Sequence, residues 1–305
     1  MRTIPTTHRY STAFWNAMRG RQFDSVDLNE RRGYNGAVII PTAAEEILSG
    51  ELLKHNIFRQ IAAVIQTDSM AYTIAALAPI GNASFVPDGA TIPESSGDYV
   101  GMELQSHKIA QIVKLTNKLI GDAGFDLQDA LMKELGRTFG AAEENACING
   151  NGVYEPYGIL HPQYGAETGV TSKEPGKLTV DDVYALYYSL DRKYRRDAVW
   201  LMNDETALHL RTLKDSVGNY LWRSPDDTIF SRPVMLTPYM PDIAAGATPI
   251  ALGAFSFYWL VERGGAMIEP LREKYVIAGQ TGYLCVEHID ARLTRRDAIK
   301  TVLIG

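Results

Sequence analysis

The side chains that could do chemistry in this chain are few, and their spacing is wrong for it. Glu143 and Glu144 are adjacent on a helical stretch, so their carboxylates point in different directions and form no acid/base pair; surface charges are the expectation. The six histidines, at 8, 55, 107, 161, 209 and 288, show no ligand spacing. Cys147 and Cys285 lie far apart in apolar contexts, which fits no disulfide framework and predicts buried, reduced thiols. No phosphate-cradling glycine loop, dinucleotide fingerprint, zinc-protease motif or nucleophile elbow occurs. The expectation is a protein with no catalytic residue, metal or cofactor. One charged group stands out, Arg192, Lys193, Arg195 and Arg196, and three roles suit it. It can complement a helix dipole at the C-terminal end, contact DNA, or form a subunit interface.

Composition bounds the rest. The chain has 305 residues, 46% hydrophobic and 22% charged, ordinary values for a globular protein. The length allows one large domain or two interlocked ones. A net charge of −6 argues against dedicated nucleic-acid recognition, which usually shows a basic stripe. No run of apolar residues is long enough for a membrane span, and no signal-peptide core is present, so the bacterial cytoplasm is the expected site of synthesis.

Residues 1–34 are polar, with an apolar knot at Phe14, Trp15 and Met18; such a segment is either a frayed terminus or an arm that packs on a neighbouring subunit. Thr42 is placed to cap a helix through Leu53, with Glu45 as its capping-box partner. Residues 57–107 combine β-prone arms with a turn-rich middle, the composition of a long extended hairpin. In 106–119, Ile109, Val113, Leu115 and Leu119 share one face with Lys108, Lys114 and Lys118 opposite, a half-buried strand. Asp126 opens a helix to Ile148, roughly 35 Å long. Gly136 and Gly140 sit one turn apart inside it, for close packing, for a bend, or by chance. Thr179 and Asp182 start another helix, 198–202 is a buried strand, and Asn203 starts a helix carrying Leu208, Leu210 and Leu213. The final third is mostly strands. Helices and strands mix without a βαβ repeat, so the class is α+β.

Several segments together resemble the major capsid proteins of tailed bacteriophages with the Hong Kong 97-type fold. GYNGAVIIP resembles the family's glycine-rich entry, FVPDGATIPESSGDY the tip of its extended loop, and KIAQIVKLTNKLIGDAGFDLQDAL the strand leading into its spine helix. EENACINGNG with PYGIL, VWLMNDETALHLRTLKDSVGNYLW, PVMLTPYMPDIAAGATPIALGAFSFYWLVER and REKYVIAGQTGYLCVEHIDARL complete the family order, with Ala254 where an acidic residue often stands.

The resemblance implies an N-terminal arm at 1–35 and a peripheral domain beginning at 36–56. The extended loop is then 57–107, and the peripheral domain continues over 108–178 with a spine helix at 126–148. An apical domain at 179–264, peripheral strands at 265–288 and a C-terminal strand at 289–305 returning to the apical domain follow. It implies a phage or prophage head protein, found in the virion capsid, that assembles in the host cytoplasm into pentamers and hexamers of an icosahedral shell around double-stranded DNA. The implied partners are further copies of itself, a scaffolding protein or prohead protease, a portal protein and packaged DNA contacted without sequence preference; no membrane is involved. Some relatives cross-link through lysine–asparagine isopeptide bonds. Here no lysine lies between Lys54 and Lys108 and no asparagine beyond Asn219, so no such bond is expected. Residues 60–107 hold no lysine or arginine but include Asp88, Glu94 and Asp98, which makes Arg31, Arg32, Arg272 and Lys274 of an adjacent subunit candidate partners. Phe14 and Trp15 are candidates for apolar contact. An encapsulin-like nanocompartment shell shares the fold and is the alternative; the long arm and loop favour the phage shell.

Overall fold

The computed structural model describes residues 6–29, 38–67, 72–77, 85–87, 99–122, 124–214, 218, 220, 222 and 227–305. Helix α1, His8–Arg19, starts where the Thr7 hydroxyl accepts the Tyr10 N–H and ends at Gly20, whose left-handed backbone (φ 74°) suits glycine. Tyr10, Ala13, Phe14, Ala17 and Met18 recur at helical spacing and are all buried. Helix α2 is Thr42–His55 and the single turn α3 is Phe58–Ile61. Thr42 does not cap α2: Pro41 holds the cap position, and the Thr42 N–H donates to the Thr6 hydroxyl at 3.1 Å. The segment before α1 thus supplies the cap from outside.

Strand β1 (Ala63–Thr67) precedes the antiparallel hairpin of β2 (Tyr72–Leu77) and β3 (Tyr99–Leu104), in register from Tyr72↔Leu104 to Leu77↔Tyr99. The stretch 57–107 is therefore not all extended loop, because α3 and β1 belong to the body and Phe58 is wholly buried. Strand β4 (His107–Thr116) shows the expected alternation. It stops at Thr116, whose hydroxyl caps the short helix α4 (Asn117–Gly121), so Ile120 turns inward and Leu119 faces out.

Helix α5, Leu127–Asn149, is capped by Asp126 and runs about 35 Å. Its glycines serve close packing. A Cβ on Gly136 would stand 2.3 Å from Glu51 Cβ, and one on Gly140 3.0 Å from His55 Cβ, so α2 lies directly on them. Then come β5 (Glu167–Thr171), α6 (Val180–Ser189), α7 (Arg192–Arg195), β6 (Val199–Met202) and α8 (Asp204–Thr212). Thr179 and Asp182 form a complete capping box on α6, and Asn203 caps α8. Leu210 is buried, whereas Leu208 is exposed. The remaining strands are β7 (Thr228–Ile229), β8 (Arg232–Leu236), β9 (Ile250–Gly253), β10 (Tyr258–Leu271), β11 (Gln280–Leu293) and β12 (Ile299–Leu303).

Two large sheets organise these elements. The four-stranded one has the order β1-β10-β11-β4 and carries α1, α2 and α5 on one face through Ile109, Val113, Ile268 and Tyr283. The six-stranded one has the order β5-β12-β9-β6-β8-β7, with β12 parallel to β5 and antiparallel to β9. Helices α6 and α8 cover it through Leu186, Ala207 and Leu210 around Trp200. Phe58, Ile148, Leu201, Phe255, Tyr258 and Leu293 form a third apolar cluster that joins the two sheets into one body.

Candidate functional site at the root of the hairpin

The hairpin leaves the body through β1 and returns through the β3–β4 junction, and both roots are held by buried charge. At the entry, Arg59 of α3 sends Nε and one terminal nitrogen to the two carboxylate oxygens of Glu143 on α5, at 2.7 and 2.8 Å. Its other terminal nitrogen donates to Glu262 of β10, and Glu262 also accepts from Gln66 of β1 at 3.1 Å. The Asn56 amide adds a bond to Glu143 at 2.9 Å. Glu144 accepts the Ile57 N–H at 2.8 Å and the Thr237 hydroxyl at 2.5 Å. Glu287 of β11 completes the group, with one oxygen 3.6 Å from Arg59. Burial works against the Arg59 cation, but Glu143, Glu262 and Glu287 more than offset it and hold its pKa well above the usual value.

At the exit, Arg263 donates to the Leu104 carbonyl at 2.8 Å, and His107 Nε2 lies 3.6 Å from Asp290 Oδ1. Burial lowers the pKa of His107 and pushes Asp290 up to about 6. Glu143 and Glu144 are thus not the surface charges their sequence suggests: they are 0% and 4% exposed. They face different partners, as adjacent helical positions must. The arrangement is enclosed, with donors already matched to most acceptors, so it fixes elements in place and offers no opening for a substrate. Among the described residues no group of acidic, histidine or cysteine side chains could hold a metal ion. Both cysteines are buried and unpaired; burial pushes Cys285 up to about 12 and Cys147 higher still.

The residues singled out from the sequence fall in three places. Phe14 is 0% exposed, and its ring meets Trp15 edge-on at 5.0 Å. Its side chain is spent on the chain's own core rather than left for a neighbour; amphipathic spacing says that a face is buried, not by whom. Arg272 donates to the Ala17 carbonyl at the end of α1, and the Tyr283 hydroxyl to Met18 at 3.1 Å. Arg19 donates to the Ile120 and Phe125 carbonyls at 2.9 and 2.5 Å, so α1 is fastened at its C-terminal end by three side chains. Lys274 is exposed on the turn joining β10 to β11, beside exposed Val276 and Ile277. Arg31, Arg32, Asp88, Glu94 and Asp98 lie outside the described residues. The group from Arg192 to Arg196 begins a new turn capped by Asp191, and Arg195 reaches back to the Leu190 and Tyr188 carbonyls at 2.7 and 2.8 Å. For Arg195 that is the helix-end role; Lys193 instead lies 3.4 and 3.5 Å from Asp191 and Asp297. Sequence reasoning missed Arg59, although one signal was there: it is the sole lysine or arginine between Lys54 and Lys108.

The family model described as the phage capsid family matches residues 36–303. The chain belongs to the phage capsid family. Solved structures agree with that family. The capsid of a native GTA particle is 25% identical at a TM-score of 0.70, over 81% of this chain and 90% of that one. The capsid of an empty GTA particle is 24% identical at a TM-score of 0.70, over 82% and 90%. A chain of Microbacterium phage Oxtober96 is 18% identical at a TM-score of 0.59, over 81% and 90%, a likeness of fold. No curated protein matches. As a phage capsid family member the chain has an α+β capsid fold, and it is a structural shell subunit of the virion, not an enzyme. Among the described residues no helix is long and apolar enough to cross a membrane.

Proposed function

We propose that this major capsid subunit assembles into pentamers and hexamers of a closed icosahedral shell around double-stranded DNA, with the four-stranded sheet as peripheral domain and the six-stranded sheet as apical domain. One observation carries the reading: the chain builds a hairpin outward from a firmly held root, and Phe85 between its two strands is fully exposed. A large apolar side chain in water on a projecting element is a contact waiting for a surface. The turn with Val276 and Ile277 offers a second such contact. The acidic loop residues Asp88, Glu94 and Asp98 dock against cations of an adjacent subunit, Lys274, Arg31 and Arg32 among them. Arg272 is exposed too, though already bonded to α1. Scaffolding protein or prohead protease, portal protein and DNA held without sequence preference are the further partners, with assembly in the host cytoplasm and no isopeptide cross-links.

Size-exclusion chromatography with light scattering and electron microscopy of the purified chain tests assembly: rings or shells are expected, and a strict monomer in every assembly buffer refutes it. Reversing Glu94 and Asp98 to lysine should lower assembly yield while leaving the subunit folded. Raised salt should lower wild-type yield, because screening shortens to about 3 Å at 1 M. Boiled particles should run as one band at the monomer mass.

A further inference from the structure

The charged group at the hairpin's entry holds more buried acid than base, and a donor count shows which acid is left over. Arg59 satisfies both oxygens of Glu143 and one of Glu262, and Gln66 takes the other. Glu287 is 4% exposed; one oxygen sits at 3.6 Å from Arg59, beyond hydrogen-bond reach, and the other has no partner among the described residues. The groups facing it are Glu143 of α5, Arg59 of α3, Glu262 of β10 and Glu45 of α2, three carboxylates against one cation. On β4 the residue opposite is Ile109, which offers no charge. A buried carboxylate without a donor, among like charges, is far costlier than the neutral acid. Burial raises the Glu287 pKa well above the usual range, Glu143 adds to this, and Arg59 opposes it.

We propose that Glu287 is a proton-binding site: it holds a proton at neutral pH, and that proton locks the entry of the hairpin to the spine helix α5. The proton comes from solvent, to which the Glu287 side chain keeps 5% of its surface open. With it bound, Arg59 faces two fully bonded carboxylates, Glu143 and Glu262, and α3, β1, α5 and the β10–β11 pair stay together. Its loss in alkali places a third buried negative charge beside Arg59, and the root loosens. The sign follows from the raised value: stability is complete at acid pH and is lost as pH rises through the folded-state pKa.

The proposal concerns the subunit itself and does not depend on shell geometry. Infrared spectra of the full-length chain in heavy water at neutral pH should show the carbonyl band of a protonated carboxylic acid, and Glu287→Gln should abolish it. Amide exchange, corrected for its intrinsic pH dependence, should rise at least about tenfold for residues 57–67 when wild type is taken into alkali, about 1.4 kcal/mol of lost protection, while Glu287→Gln stays protected. Absence of the band, its survival in Glu287→Gln, or equal alkaline exchange in both proteins would overturn the proposal. Should Glu287→Gln fail to fold, glutamate carboxyl carbon shifts of the labelled wild type decide: a carboxyl still protonated at neutral pH supports the site, and all of them ionised refutes it.

Discussion

The two large sheets bury very different material. Around the six-stranded sheet the core is Trp200, Leu186, Ile250, Leu252 and Val302, and the buried polar residues are mostly uncharged, Ser172, Asn203, Thr206 and Thr301. Asp182 is the exception, and it closes a helix cap. The four-stranded sheet buries Arg59, Glu143, Arg263, Glu287 and Asp290 beside its apolar face. Apolar packing tolerates small shifts at little cost in direction, whereas a bidentate arginine–carboxylate pair has one geometry. The charged sheet is the one from which the hairpin projects. Directional contacts lie where an angle must be kept, and non-directional ones where bulk is enough.

The sharpest way to break that contrast is to damage each core once. Trp200→Ala should cost about 3–5 kcal/mol through the cavity it leaves, equally at pH 5 and pH 8. Arg59→Met should cost a similar amount at pH 8, about 3–5 kcal/mol, since it strands buried carboxylates. Here the loss should shrink at pH 5, because those carboxylates can take up protons. Denaturant midpoints at the two pH values check both, and a pH-independent Arg59→Met would erase the distinction. A smaller effect is expected at the helix crossing. Gly136→Ala gains about 1 kcal/mol of helix propensity but drives Cβ into Glu51, for a net loss of about 1–2 kcal/mol. A thermal midpoint at or above wild type would show that α2 can move aside freely. The smallest change sharpens the picture at the hairpin's exit. Asp290 has its folded value raised to about 6, so its contribution is present in acid and lost as pH rises through that value. Asp290→Asn should flatten the stability–pH curve between about pH 4 and pH 6 by about 1.4 kcal/mol per pH unit, and a curve parallel to wild type would count against the assignment.

Much of the scaffold was legible in the sequence, because local rules set it. Asp126, Thr179 and Asn203 cap the helices expected of them, and the alternation of β4 gives its faces. The candidate site was not legible, for a reason of distance. Glu143 meets Asn56 and Arg59 across 87 and 84 residues of sequence, and no periodicity carries that information. Near its end α5 buries Glu143, Glu144, Ala146, Cys147 and Ile148, so a two-faced helix rule assigns its carboxylates to solvent wrongly. Phe14 failed in the opposite sense: the buried face was correct and the partner was not, because the apolar cluster that takes it in is assembled from α2, α5, β10 and β11, far apart in sequence.

One strand has a consequence for how the subunit is made. β12, residues 299–303, lies between β5 and β9, so the six-stranded sheet is split until the last of its members has been synthesised. A ribosome that stalls before residue 299 leaves β5 and β9 each with an unpaired edge, prone to the wrong partner. Folding of this half must wait for translation to pass that point, and the long sequence separation makes the step slow. The same wait acts as quality control, since a prematurely terminated polypeptide has no closed sheet with which to enter a particle.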